Sequence, residues 1–206
     1  MTARVDPPTL ACEQPLWEAG FRYLAGVDEA GRGALAGPVA AAAVILPAEA
    51  SLTQRLAGVR DSKQMTPAER EYWAVRIRQA AISWSVGFAS AGEIDALGIV
   101  AATCLAAQRA LESLSSPPEW LLTDYLLLRE VDLPQIALVK GDQRSLSIAA
   151  ASVLAKTSRD ALLRDLDARY PGYGFARHKG YGTPFHRAAI RRLGYCPLHR
   201  KSFACL

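Results

Sequence analysis

Long apolar runs are what this sequence lacks most clearly. Its longest strongly apolar stretch, Val39 to Leu46, is far short of the roughly 20 residues that a membrane-spanning helix needs. Between Met1 and Ala25, Asp6, Glu13 and Glu18 break up the apolar residues, and no basic start leads into an apolar block; a secretory leader is therefore not expected. Cysteines number four, Cys12, Cys104, Cys196 and Cys205, and none falls in a CxxC or Cys/His metal-ligand spacing. That pattern excludes a zinc-ribbon type of site and gives no sign of a disulfide scaffold. The expectation is a cytoplasmic protein with free thiols and no membrane association.

Several catalytic fingerprints are missing as well. No GxxxxGK[ST] occurs, which removes a P-loop nucleotidase, and no GxSxG, which removes a serine-hydrolase elbow. The glycines at Gly31, Gly33 and Gly37 are spaced GxGxxxG, and Pro38 with an apolar stretch follows where a dinucleotide site would open a helix. Internal repeats and low-complexity tracts are absent. One region is strongly basic and wholly without negative charge: between Pro171 and Leu206 there are Arg177, Lys179, Arg187, Arg191, Arg192, Arg200 and Lys201 but no Asp or Glu. The net charge of +4 is thus concentrated at one end. A polyanionic partner such as nucleic acid fits this distribution, and so does a solvated basic helix with no partner.

What is present is a chain of 206 residues, half of them apolar, enough to bury one good core. A single domain over 1–206 is expected, with 1–20 a loose proline-containing arm, ending in a short helix near Leu16 to Phe21, and 171–206 a basic segment. Tyr23 to Val27 and Val39 to Leu46 read as strands around a glycine-rich loop. Thr66-Pro67 with Glu69 marks a helix start, running to about Ala80. Over Ile82 to Phe88, Ile82, Trp84 and Val86 alternate against Ser83 and Ser85 with the period of a strand. Ile99 to Leu114 has helical spacing. Trp120 to Thr123 and Ile136 to Val139 are the size of buried strands, a long helix runs from about Ser145 to Tyr170 before Pro171-Gly172, and another spans Pro184 to Leu193. The order predicts an α/β layer architecture, a mixed five-stranded sheet flanked by helices with a C-terminal helical extension.

Three of the apolar runs end in carboxylates: Asp28 and Glu29 after the first, Asp124 after the fourth, Asp142 after the fifth. Parallel strands form binding sites beyond their carboxyl ends, so these acids are placed to converge. Such a cluster is unfavourable unless raised pKa values or cations cancel the repulsion. Oxygen-only ligands suit Mg²⁺ or Mn²⁺, and two such ions about 3.5–4 Å apart would serve phosphodiester hydrolysis. The alternative is that each acid is a turn residue or helix cap, a real competitor for Asp142. For His178, His186 and His199 a surface or hydrogen-bonded structural role is expected over metal ligation.

The ordered blocks Gly26-Val27-Asp28-Glu29-Ala30-Gly31-Arg32-Gly33, Ala36-Gly37-Pro38-Val39, Asp61-Ser62-Lys63, Lys140-Gly141-Asp142, Ala149 to Lys156 with Arg159-Asp160, His178-Lys179-Gly180-Tyr181-Gly182-Thr183, and His199-Arg200 with Ser202-Phe203 resemble the signature segments of the ribonuclease HII family, type 2 ribonucleases H. The resemblance covers nearly the whole chain from Leu24 onward. It implies a ribonuclease H-like fold and an endoribonuclease that cuts the RNA strand of RNA–DNA hybrids. It further implies cutting 5′ to single ribonucleotides embedded in duplex DNA, with 3′-hydroxyl and 5′-phosphate ends, which starts ribonucleotide removal. By the same likeness Asp28, Glu29, Asp124 and Asp142 are the metal-binding catalytic acids for two Mg²⁺ or Mn²⁺ ions. Gly31, Arg32 and Gly33 would read the 2′-hydroxyl, Tyr181 would stack at the junction sugar on the deoxy side, and Ser62, Lys63 and Lys156 would hold phosphates. The chain departs from the family at Tyr125, where glycine normally follows the third acid, and at Gly98, where asparagine normally precedes the helix. A non-catalytic nucleic-acid-binding module and another nuclease of the same fold are the rival expectations; a monomer is the expected state.

Overall fold

A computed structural model describes residues 7–203. Five strands, β1 (Leu24–Ala30), β2 (Val39–Ile45), β3 (Ser83–Ala89), β4 (Trp120–Asp124) and β5 (Gln135–Leu138), form one sheet in the order β3-β2-β1-β4-β5. β1 runs antiparallel to β2, β2 antiparallel to β3, and β1, β4 and β5 are mutually parallel. The helices are α1 (Gln14–Glu18), α2 (Leu52–Arg55), α3 (Pro67–Ala80), α4 (Ala91–Leu97), α5 (Ile99–Glu112), α6 (Leu146–Arg169), α7 (Phe175–His178) and α8 (Pro184–Leu193). A mixed five-stranded sheet flanked by helices, with a helical C-terminal region, is as expected from the sequence.

The unbroken apolar run of β2 has a direct cause: every residue of that strand is buried, because helices cover both faces. Ala42 and Val44 join the cluster under α3 and α6, while Val39, Ala41, Ala43 and Ile45 join the cluster under α5. α6 lies so close to β1 that a Cβ on Gly26 would sit 2.2 Å from the Ser147 carbonyl carbon. The predicted helix starts hold where capping chemistry is explicit: Thr66 and Glu69 form a reciprocal capping box at α3, and Ser145 caps α6.

One expectation is overturned, and one strand fixes a choice that its alternation left open. In β3 the alternation holds, with Ser83, Ser85, Gly87 and Ala89 turned to the core and Trp84 left 39% exposed. The reason is close packing of α5, whose Ala106 carbonyl would lie 2.1 Å from a Cβ on Gly87; only small side chains fit, and the Ser85 hydroxyl is satisfied by donating to the Ala110 carbonyl. Trp84 instead lies under the Arg78 guanidinium, 4.8 Å from its ring centroid.

The overturned expectation is the loose arm over 1–20. Residues 1–6 lie outside the described residues, but from Thr9 onward the segment is tied down. Thr9 pairs with Ser145, Leu10 enters the core, and the fully buried Glu13 accepts hydrogen bonds from Ser145 Oγ (2.6 Å) and Ser147 N (3.0 Å). A carboxylate at the start of a 24-residue helix answers both its unpaired N–H groups and its dipole. The short helix in the arm is α1, two residues earlier than expected at its start.

Candidate metal centre and its recognition loops

The parallel pairing of β1 with β4 matches Val27 to Thr123, so the next residues, Asp28 and Asp124, emerge side by side. Asp142 arrives from a single 3-10 turn, Gly141–Gln143, between the end of β5 and α6. Asp124 Oδ1 accepts from Gly141 N at 2.7 Å, which ties the β4 end to that turn. One carboxylate oxygen from each of Asp28, Asp124 and Asp142 lies within 4.8 Å of the others. The three come from chain segments far apart, and only the sheet brings them together.

Burial and mutual repulsion leave their marks. Asp28 is 4% exposed and Asp142 3%. Burial, followed by repulsion from Glu29 and Asp124, pushes the Asp28 carboxyl well above its ordinary range, against a hydrogen bond from Ser152. Burial and the negative charges of Asp61 and Asp124 push Asp142 up to about 7, although Lys63 opposes this. Although burial works the other way, Asp61, Asp28, Asp142 and Asp124 together hold the Lys63 ammonium above its usual value. Acids that must take up protons to coexist are a site in want of a cation. The donors are all hard oxygen, the chemistry that Mg²⁺ or Mn²⁺ accepts and zinc-thiolate sites do not; the residues fit a divalent ion.

Glu29 lies beside this group of three, near enough for its charge to act on Asp28 and for that of Asp124 to act on it. Successive residues of a strand point to opposite faces, so the Glu29 side chain leaves β1 on the other side from Asp28 and is held by Arg32 at 3.1 Å. Burial raises its pKa while that arginine lowers it. A carboxylate that sequence spacing did not single out takes a place beside the cluster instead: Asp61 is buried, accepts from Lys63 N at 2.9 Å and contacts Asp142. Its signal in the sequence was the Asp61-Ser62-Lys63 block alone.

The remaining predicted residues ring this centre. Lys63 Nζ lies 3.9 Å from Asp142 Oδ2 with its side chain largely exposed. Ser62, expected to hold phosphate, is buried with its hydroxyl 2.9 Å from Ser152 Oγ; it braces the residue that bonds Asp28 and leaves the outward position to Lys63. Lys156 donates to Asp160 Oδ1 at 2.8 Å and sits 5.4 Å over the Tyr181 ring. Gly31 touches the Arg159 side chain so closely that a Cβ there would lie 1.9 Å from Nε, whereas Gly33 faces open space. The three histidines are buried and hydrogen-bonded, and burial lowers the pKa of each; the structural role expected for them is the one observed. Tyr125, in the place of the expected glycine, takes φ 61°, the left-handed conformation glycine would supply. Gly98 starts α5 without a side-chain cap, at φ 81°.

Comparison with known proteins gives the family and the fold. A family model described as ribonuclease HII matches residues 25–206. The chain belongs to the ribonuclease HII family. The ribonuclease HII of Synechococcus sp. (strain JA-3-3Ab) is 55% identical over 98% of this chain and 91% of its own length, and that of Syntrophotalea carbinolica is 52% identical over 96% and 93%. Among solved structures, ribonuclease H2 from Pyrococcus horikoshii superposes with a TM-score of 0.73 at 26% identity, covering 88% of this chain and 94% of that one. The architecture is therefore the ribonuclease H-like fold, and the protein is a ribonuclease H that works with divalent metal ions. Its acidic cluster lies at the carboxyl ends of β1 and β4 and in the turn after β5, and among the described residues no helix is long and apolar enough to cross a membrane.

Proposed function

We propose that this enzyme hydrolyses the RNA strand of RNA–DNA hybrids and cuts 5′ to single ribonucleotides embedded in duplex DNA, leaving 3′-hydroxyl and 5′-phosphate ends. The observation that carries the chemistry is the meeting of Asp28, Asp124 and Asp142 within 4.8 Å, immediately before the Gly31 to Gly33 loop. In this reading Asp28, Asp124 and Asp142, flanked by Glu29, hold two Mg²⁺ or Mn²⁺ ions. When bound, such ions activate a water and stabilise the leaving oxygen of a phosphodiester.

The chain's own residues do the rest. Lys63 and Lys156 neutralise phosphates on either side of the scissile bond. Gly31, Arg32 and Gly33 approach the sugar through their backbone, Gly31 because a Cβ there would strike the Arg159 side chain behind the loop and Gly33 because it opens to free space, and the 2′-hydroxyl is the group that separates RNA from DNA. Tyr181, backed by Lys156 and by Arg159, 5.5 Å from the ring, stacks on the deoxy-side sugar. The basic segment 171–206 tracks the duplex backbone, and the whole chain acts as one catalytic domain. The enzyme is read as a cytoplasmic monomer.

The test is a DNA duplex with one ribonucleotide, incubated with the protein and Mg²⁺ or Mn²⁺ beside an all-DNA duplex. Metal-dependent cutting of the first alone, on the 5′ side of the ribonucleotide, is expected. Cutting of both would reassign the protein as a general nuclease, and cutting only of long hybrids would remove the single-ribonucleotide part.

A further inference from the structure

Two loops carry the proposed recognition of a ribonucleotide, and both are held from behind by one dipeptide. Arg200 is fully buried. Its Nη2 donates to the Gly31 carbonyl at 2.8 Å, its Nη1 to the Arg32 carbonyl at 2.7 Å and its Nε to the Gly37 carbonyl at 3.0 Å. The peptides here are trans, so a carbonyl turned inward turns the N–H of the next residue outward. Arg200 therefore sets the polarity of the loop: the amides of Arg32 and Gly33, both exposed, face away from the interior. Among the described residues neither amide donates to a protein acceptor. Two consecutive amides aimed the same way are an acceptor-binding concavity.

The neighbouring residue acts on the other loop. His199 Nδ1 faces the Cys196 amide at 2.9 Å and so accepts, which puts the ring proton on Nε2. That proton is donated to His186 Nε2 at 3.2 Å, and His186 Nδ1–H in turn donates to the Tyr181 carbonyl at 3.0 Å. The loops also touch each other directly, through Leu35 N to Gly180 O at 2.8 Å, and Arg200 N closes the circuit on Leu35 O at 2.9 Å.

We infer that His199 and Arg200 form a clasp that sets the separation and orientation of the two recognition loops, making them positioning residues for ribonucleotide selection and not for the metal centre. The guanidinium fork is essential to it, because three carbonyls in different directions need donors in a fixed plane, which an ammonium on a flexible stem does not provide. This inference rests on the reading of the Gly31 to Gly33 loop as the ribose reader.

The experiment uses the full chain and Arg200→Lys. Binding is measured in Ca²⁺, to hold the duplex without turnover, for a single-ribonucleotide duplex and its all-DNA counterpart. The wild type is expected to prefer the former, and the variant to lose that preference to within about twofold of unity. Its Mn²⁺ affinity by calorimetry should stay unchanged, and hydrogen exchange of the Ala34 amide, which donates to the Gly31 carbonyl, should accelerate. A role in stability alone would lower the melting midpoint and leave the preference intact; a retained preference overturns the inference while sparing the ribonucleotide reading. A wild type with no preference sinks that reading and the inference with it. Should Arg200→Lys not fold, His199→Phe keeps a ring in place and removes the bond to His186: slower junction cleavage with faster exchange at 181–183 supports the clasp, and no change in either overturns it.

Discussion

Asp28 and Glu29 are adjacent in the chain and point to opposite faces of the same strand. Asp28 meets Asp124 and Asp142, whereas Glu29 is drawn 3.1 Å from the Arg32 guanidinium, beside the amides proposed to read the sugar. One step of backbone thus joins the acidic centre to the loop proposed to select the substrate. The pair also differs in compensation: both acids feel the negative charge of Asp124, but Glu29 has the Arg32 guanidinium beside it to oppose it.

Removing the crowded charge should improve the fold and end the chemistry. Asp28→Asn keeps the shape and the hydrogen bond with Ser152 but removes repulsion from Glu29 and Asp124. Turnover is expected to fall by at least about a thousandfold, while the metal-free protein melts at a higher temperature than the wild type. Added Mg²⁺ should raise the wild-type midpoint and hardly move that of the variant. Melting curves with and without metal decide this; a variant less stable than the metal-free wild type would contradict the crowding account.

Tyr125 gives a second test. It is 76% exposed with φ 61°, a conformation that costs a non-glycine residue about 1–2 kcal/mol. Tyr125→Gly should stabilise the enzyme by about 1 kcal/mol, reduced somewhat by the greater freedom of glycine in the unfolded chain. Tyr125→Ala keeps the strain and should show no gain. Denaturant midpoints of the three proteins check the ranking.

Tyr181 lies under two cations, Lys156 at 5.4 Å and Arg159 at 5.5 Å from its ring centroid. Stacking of a base on an aromatic ring is worth about 1–3 kcal/mol, and with the ring on a sugar the lower end of that range applies, so Tyr181→Ala should slow junction cleavage about tenfold. Tyr181→Phe should retain most of the rate. Equal rates for all three enzymes would take the ring out of the substrate path.

His186 provides the pH dependence. Burial, with His178 and His199 adding positive charge on protonation, lowers its pKa to about 4, against the Tyr181 and Gly180 backbone groups that favour the charged form. The folded value lies below the unfolded one of about 6.5, so the folded state prefers the neutral ring. Its contribution to stability is complete above about pH 6.5 and is lost as the pH falls toward 4. Histidine proton resonances followed from pH 7.5 downward should show His186 neutral until the protein begins to unfold. An inflection near 6.5 in the native state would refute the neutral His199-to-His186 hydrogen bond.

Where local chemistry decides local structure, the elements were legible in the chain. Thr66 with Glu69 and Ser145 before Leu146 mark helix starts because the side chains themselves satisfy the first N–H groups. The same chemistry was present at Ser90 and Glu93, which cap α4, a helix the sequence analysis passed over because it is short and gives way at Gly98 to the next. β3 was legible as a strand, but its inward face was not. Alternation reports two faces but not which is inside, and close approach by α5 rewards Ser and Gly over Trp.

The order of carboxylates at the ends of apolar runs was enough, by itself, to specify a cation-binding chemistry, since like charges must be compensated wherever they gather. Which of them gather was decided by strand pairing and by the two-residue pleat, which bring Asp28 to Asp124 and turn Glu29 away. The roles of Asp61, Glu13 and Arg200 were decided only in three dimensions. Each bonds to backbone or acid at positions distant in sequence, and hydrogen-bond geometry at that range has no periodicity along the chain by which it is read.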